Sequence, residues 1–485
     1  MNKNIIKFLL VAVIVLGAVI LTLFLDRPAN ETGGVYTINL TEDGFQPDTI
    51  TINKGETVKF TTSTGKQFWP ASDLHPTHLL YPEFDPKEPI QPDKSWSFKF
   101  DKVGEWRFHD HLFPYFRGTI KVIDNKKISQ NNTLDNCRGL KDNLGIQCWD
   151  DNFRSVLKNN GLSAAYDLLA ELYKNNPDFA NQCHVITHTI GEAAYQEFKN
   201  KKEFAVSDKT SYCGFGFFHG FMEALFADSN GPDMARQVCD YMDKQLKEQL
   251  GRAGLACFHG IGHGAADGST PNAWGNEQVF VQPALDLCDK IAQTDDEKYR
   301  CASGAFNSLS IAYVGGQYGM KLDEKDPLWI CRKQKNEYQK GCYSDMMVAI
   351  VKLADHDIVK GADYLKNVGD LYAKMSVRSV SGLVLNIRLH DTDYSDIVSN
   401  CQRVEPRLRN DCVGGFGSAL MEFGEPGNDY IKAISFCGSK GMTESEKRNC
   451  FESVLGYATG EYKPEKMQKI CPLVDKRYWG PNCGV

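Results

Sequence analysis

The cysteines constrain this chain more than any other feature. All 16 lie after Asn136, and they succeed one another as near neighbours: 137/148, 183/213, 239/257, 288/301, 331/342, 401/412, 437/450 and 471/483. Six of the eight spacings are 11 to 13 residues. An even number at short recurring spacings reads as a disulfide framework, which lasts only in an oxidising compartment. No CxxC pair occurs, so a thiolate metal site is the weaker reading. Neighbour-to-neighbour pairing is the expected connectivity.

The first residues point to the same compartment. Lys3 and Lys7 precede an uncharged run of 18 residues, Phe8 to Leu25. At about 1.5 Å per residue, that run crosses most of a hydrocarbon core of about 30 Å. It ends in Leu25-Asp26-Arg27-Pro28, with no small-x-small cleavage site and no cysteine to carry a lipid. Residues 1–28 are therefore expected to be an uncleaved, single-pass transmembrane helix that anchors the chain. The lysines hold its amino end in the cytoplasm and send the rest outside, into a periplasm or onto the cell surface. The chain beyond the anchor is too long for one core. Polar stretches at 30–34 and 125–133 separate a domain at 35–124 from a second at 134–485. The net charge is −7 with no basic stripe, so nucleic acid is not an expected partner.

The domain at 35–124 reads as all β. Val35–Leu40, Thr49–Ile52, Thr57–Phe60, Ser95–Phe100, Gly104–His109 and Thr119–Ile123 alternate between turn signals such as Asn53-Lys54-Gly55. About seven short strands in such a length make a sandwich. The stretch from Phe45-Gln46-Pro47 through Gly55 to Val58-Lys59-Phe60 resembles the opening strands of cupredoxins. Gly104 to Val122 resembles their metal loop and last strand. The resemblance implies a copper site with one His from a mid-chain loop and Cys, His and often Met from the last loop. Here the loops read Asp73-Leu74-His75-Pro76-Thr77-His78 and His109-Asp110-His111, with His109 where the family places Cys and Phe116 near its Met. The domain holds no cysteine, which excludes a blue thiolate centre. An all-imidazole set of His75, His78, His109 and His111 remains, suited to copper, with zinc or nickel chemically compatible. Phe113, Tyr115 and Phe116 are expected to shield it from water. A domain that has lost its metal and kept polar histidines is the competing reading.

After residue 134 the periodicity turns helical. A cysteine followed by small and apolar residues recurs at Cys183, Cys213, Cys257, Cys301, Cys342, Cys412 and Cys450, with a cysteine-less copy at Val380. Starts about 30 to 45 residues apart are the period of helix-hairpin repeats. The expected fold is thus multidomain: the anchor, an all-β cupredoxin-like sandwich, then an all-α, disulfide-stapled, solenoid-like domain in which each unit buries its face only against its neighbours.

Five of the chain's 11 histidines sit in three successive repeats: His184, His188, His219, His259 and His263. His184/His188 and His259/His263 are four apart and share a helix face. Glu192, Glu223 and Asp267 each come four residues after a histidine. Histidines and carboxylates converging from facing helices build metal sites, so a second metal ion is expected here. A polar structural core is the alternative, since Glu422 occupies the same place in a repeat without histidine. The functional expectation is a membrane-anchored, extracytoplasmic copper-binding protein with a redox or electron-transfer role and a redox or metal-transfer partner protein. Metal capture and delivery without catalysis, or a helical protein-binding platform, are the alternatives. No nucleophile triad or phosphate loop stands out.

Overall fold

A computed structural model describes residues 34–124 and 137–483, apart from 76–77, 141, 229–230, 247–249, 267, 269–271 and 389–390. The expected membrane anchor lies outside the described residues, as does Asp267. Among those described, no helix is long and apolar enough to cross a membrane.

The first domain is a sandwich of two four-stranded sheets. Its strands are β1 (Val35–Thr41), β2 (Gly44–Gln46), β3 (Thr49–Asn53), β4 (Thr57–Thr62), β5 (Pro70–Ser72), β6 (Trp96–Lys99), β7 (Gly104–Asp110) and β8 (Phe113–Ile123). One sheet runs β2-β1-β4-β6 and the other β3-β8-β7-β5. Two pairs are parallel, β1 with β4 and β3 with β8, and the rest antiparallel. Alternation sets the core: Ile38 and Leu40 of β1, Val58 and Phe60 of β4 and Trp106 and Phe108 of β7 are buried, while residues between them face outward. The two short strands β2 and β5 escape a reading by pattern, because three residues hold too little alternation to register.

The second domain is built from helices α1 (Asp142–Asn175, broken at Gly161), α2 (Cys183–Lys201), α3 (Gly216–Phe226), α4 (Gly231–Leu246), α5 (Ala253–Ala265), α6 (Glu277–Ile291) and α7 (Asp295–Gly315). It continues with α8 (Asn336–Asp345), α9 (Met347–Leu353), α10 (Asp370–Val384), α11 (Ser395–Arg403), α12 (Arg409–Glu422), α13 (Asp429–Cys437) and α14 (Glu444–Glu461). Short helical turns lie between them. Thr294 caps α7 through the Glu297 N–H, and Thr443 and Glu446 form a reciprocal capping box on α14.

All 16 cysteines are paired as neighbours, with Cα–Cα separations from 5.4 to 5.8 Å. Most bridges join one helix to the next, such as Cys401 near the end of α11 to Cys412 in the first turn of α12. Closing loops of this length stabilises by roughly 3 kcal/mol each in the chain-entropy model. The repeat-start helices pack backbone to backbone. A Cβ on Gly220 of α3 would lie 2.1 Å from the His188 carbonyl oxygen of α2, and one on Gly304 of α7 would lie 1.9 Å from that of His259. Only glycine permits this approach, and it draws the histidine-bearing faces together.

In one respect the array departs from the open solenoid expected. Its last repeats return to its early ones: the Tyr173 hydroxyl donates to the Phe423 carbonyl, Gly251 N–H, just before α5, to the Glu461 carbonyl at 3.2 Å, and Lys174 pairs with Glu425 at 3.6 Å. Contacts are therefore not confined to neighbouring units. Curvature accumulated over the repeats closes the array, and a repeat period alone does not reveal curvature.

The domains are pressed together. Trp69 and Ala71, which flank Pro70 at the start of β5, belong to the apolar core of the helical domain. Ions reinforce the contact: Arg107 bridges to Asp150 and Asp151, and Arg117 reaches Glu192 at 3.1 Å.

Candidate metal centres

Among the described residues two groups of histidines gather, one in each domain, and each brings one ring nitrogen per residue within 4.8 Å of the others.

The first comprises His75, His78, His109 and His111. His109 sits at the end of β7, beside the β-bulge between His109 and Asp110. His111 comes next in the turn that Asp110 organises by accepting from the Trp69 and Leu112 N–H groups. His75 and His78 come from the loop after β5, where His78 adopts a φ of 55°. Their inner nitrogens meet in pairs: His75 Nδ1 to His109 Nε2 at 3.1 Å, and His78 Nε2 to His111 Nδ1 at 2.7 Å.

Three of the four rings are also held from behind. His109 Nδ1–H donates to Asp73 at 2.9 Å and His78 Nδ1–H to Asp85 at 2.6 Å, while His111 Nε2 bonds the Tyr318 hydroxyl. A carboxylate accepting from one ring nitrogen fixes the tautomer and turns the lone pair of the other inward. Asp85 is itself held by the Trp69 indole N–H at 2.8 Å and by Lys87. Burial pushes His75, His109 and His111 down, His109 to about 4, so these imidazoles are neutral at physiological pH. Burial would raise Asp73, but Arg117 and His109 outweigh it and hold that carboxyl well below its usual range. Four converging imidazoles, three of them neutral by burial, fit the donor set of a copper ion, with zinc chemically compatible.

Of the three rings expected as a shield, Phe113 and Tyr115 line the cleft outside His75. Tyr115 is 57% exposed, and Phe116 packs against the β core. The rings that cover the cluster are Trp69, whose centroid lies 4.0 Å from that of His111, and Tyr318 of the helical domain, at 4.9 Å. The Trp274 ring lies against Trp69, tilted, at 5.0 Å.

The second group is His184, His188 and His219, on α2 and α3. His184 Nδ1–H donates to the Cys213 carbonyl at 2.7 Å, which leaves Nε2 as its ligand atom. His188 Nδ1–H donates to Glu223 Oε2 at 3.2 Å. His259 and His263 on α5 form an adjoining layer, stacked on His219 at centroid distances of 5.2 and 4.5 Å. Ser303 Oγ lies 2.8 Å from His259 Nδ1. Burial lowers His184, His219, His259 and His263, the first and last of them to about 4.

Within this group His188 Nε2, His219 Nδ1 and His263 Nε2 are buried without a hydrogen bond to protein among the described residues, while His263 Nδ1 and Glu223 Oε1 lie 3.4 Å from each other. Leaving such atoms unpaired costs roughly 1–3 kcal/mol each, a cost that a bound water or ion between them removes. Three imidazoles with a carboxylate behind one of them suit a transition-metal ion.

The carboxylates differ from expectation. His188 pairs with Glu223 of the neighbouring helix, not with Glu192 one turn along its own. Glu192 instead meets Arg117 at 3.1 Å and Arg154 at 3.3 Å. Two guanidiniums attract a carboxylate more strongly than a neutral imidazole does.

Several residues of the centres carried no signal in the sequence. Tyr318 lies 207 positions from His111. Asp73 and Asp85 stand close to the histidine loop, so proximity was the only available hint.

Residues 13–122 match the family of the cupredoxin-like domain. Solved structures similar to this chain include a purple cupredoxin from Nitrosopumilus maritimus, at 16% identity and TM-score 0.17, covering 18% of this chain and 99% of that one. Oxidised plastocyanin from the fern Dryopteris crassirhizoma is another, at 23% identity and TM-score 0.16, with the same coverage. No curated protein matches the chain. The β-sandwich that carries the first histidine cluster is a cupredoxin-like domain.

Proposed function

We propose that this chain is an extracytoplasmic copper-binding protein, tethered to a membrane by residues 1–28. In this reading His75, His78, His109 and His111 hold copper, and His184, His188 and His219 hold a second transition-metal ion, with His259, His263 and Glu223 beside it. The observation that carries it is the convergence of four ring nitrogens within 4.8 Å, three of their rings held from behind by Asp73, Asp85 and Tyr318. That double arrangement is how proteins aim imidazoles at a metal. When bound, copper supplies a reversible one-electron couple and an exchangeable soft cation. The chain's own residues exclude water through Trp69 and Tyr318 and keep His75, His109 and His111 neutral by burial. Eight disulfides support the extracytoplasmic setting.

Copper analysis of the chain from Asn30 onward tests this, beside the variants His109→Ala/His111→Ala and His184→Ala/His188→Ala. Each variant is expected to lose one distinct equivalent. Unchanged copper content in both would leave the histidines structural and sink the reading. A redox role is separable: a reversible potential in the loaded chain supports electron transfer, whereas exchange with a competing chelator supports capture and delivery.

A further inference from the structure

One histidine of each cluster, His75 and His188, lines a shared chamber between the domains. Its volume is about 30 Å³, enough for an ion with a water. Asp73 and His75 face it from the sandwich, and His188, Glu223, Ala224 and Ala227 from the helices. Outside it, a cleft of about 620 Å³ also touches His75 and Glu223.

Three features give this chamber a direction. First, His75 is the one ring of its cluster whose outer nitrogen no hydrogen bond holds among the described residues, and it is also the least buried of the four. Second, the sandwich cluster can close without an ion. His75 Nδ1–H donates to His109 Nε2, and His111 Nδ1–H to His78 Nε2, with Tyr318 donating to His111 Nε2. The helical cluster closes less completely: His263 Nδ1 faces Glu223 Oε1 at 3.4 Å, but His188 Nε2, His219 Nδ1 and His263 Nε2 bond no protein group among the described residues. Third, Arg117 pairs with Asp73 and Glu192 in the chamber wall, which leaves the Glu223 carboxylate, beside His188 and His263, as the group that favours a cation there.

We propose that the chamber is a transfer passage: a copper ion bound in the sandwich moves through it to the helical cluster, released by His75. This rests on the copper reading of the four-imidazole centre. The step is ligand exchange, and no electron moves. Bonds from the ion to the four sandwich imidazoles break, and bonds to His188 Nε2, His184 Nε2 and His219 form. His75 and His111 each shift their N–H from outer to inner nitrogen, so no net proton is taken up.

The passage can be plugged without touching a ligand, at Ala227 or Ala224. One equivalent of Cu(II) is mixed with the metal-free chain, and tryptophan fluorescence is recorded over time. The Trp69 ring lies 4.0 Å from that of His111, so copper in the sandwich quenches it. The expected course is rapid quenching, then recovery as the ion moves on. Ala227→Leu should slow that recovery at least tenfold while the total capacity at equilibrium stays at two copper ions. Ala224→Leu provides a second plug should the first disturb folding. His184→Ala/His188→Ala should quench without recovering. If recovery runs at the wild-type rate in both plugged variants, the passage is overturned. It is equally overturned if the helical cluster fills as fast in His109→Ala/His111→Ala. An absence of quenching, with copper content unaffected by that variant, overturns the copper centre itself and the passage with it.

Discussion

The two clusters use the same side chain in opposite ways. In the sandwich, His78, His109 and His111 are each held from behind, and the inner nitrogens can satisfy one another in pairs. In the helical domain, His184 and His259 are anchored, but His188 Nε2, His219 Nδ1 and His263 Nε2 are buried without a hydrogen bond to protein among the described residues. Loops and a strand end, which can adjust ring by ring, build the first. Helices locked at glycine contacts, which place rings by turn geometry, build the second. A flexible scaffold can relax into a closed hydrogen-bond set; a rigid one keeps its unpaired atoms. A histidine cluster is thus poised for an ion as much by what its scaffold forbids as by which nitrogens converge.

The contrast breaks most forcefully at Gly220. Its replacement by alanine would drive a Cβ into the His188 backbone, at a cost of about 3 kcal/mol or more. Copper bound by the helical cluster should be lost, while quenching of Trp69 by copper in the sandwich persists. Loss of both together would show that the clusters are not separately built. Next in size is Tyr318→Phe, which keeps the ring over the sandwich cluster and removes the hydroxyl at His111. Copper affinity there should fall about 10–100-fold, read by competition with a chelator, with the helical equivalent unmoved.

A smaller effect belongs to the seam that closes the helical array, where neither cluster lies. Burial raises Asp429 and Glu461 to about 7. Folded values above the unfolded ones mean that the folded state binds more protons between about pH 4 and 7. The contribution of these groups is full below that window and is lost as pH rises through about 7, by on the order of 2 kcal/mol per group. Melting should therefore occur at lower temperature at pH 8 than at pH 5, and Asp429→Asn with Glu461→Gln should flatten the slope. Gly456→Ala should be the smallest change, within about 0.5 kcal/mol, since only the Asn482 side chain comes within 4 Å of its added Cβ. A large loss there would undercut the argument from Gly220.

Much of the site was legible because its signals are local. His109 and His111 flank one position, and His75 and His78 share one short loop, so their grouping needed only a sandwich to join the loops. The helical histidines were legible through i, i+4 spacing and the repeat. Glu192 shows the limit: the spacing rule put it beside His188, but Arg117 and Arg154, 75 and 38 residues away, claimed it. No local rule contains those partners.

Alternation was enough to specify the sandwich, the repeat period to specify the helices and the spacing of cysteines to specify the eight disulfides, since each of these forces acts over a few residues. Three outcomes were settled only when the tertiary structure formed: the array closes on itself, Trp69 of one domain is buried in the core of the other, and Tyr318 reaches His111. They depend on small curvatures summed over many helices and on surfaces that meet only after both domains have folded, and no stretch of sequence carries either quantity.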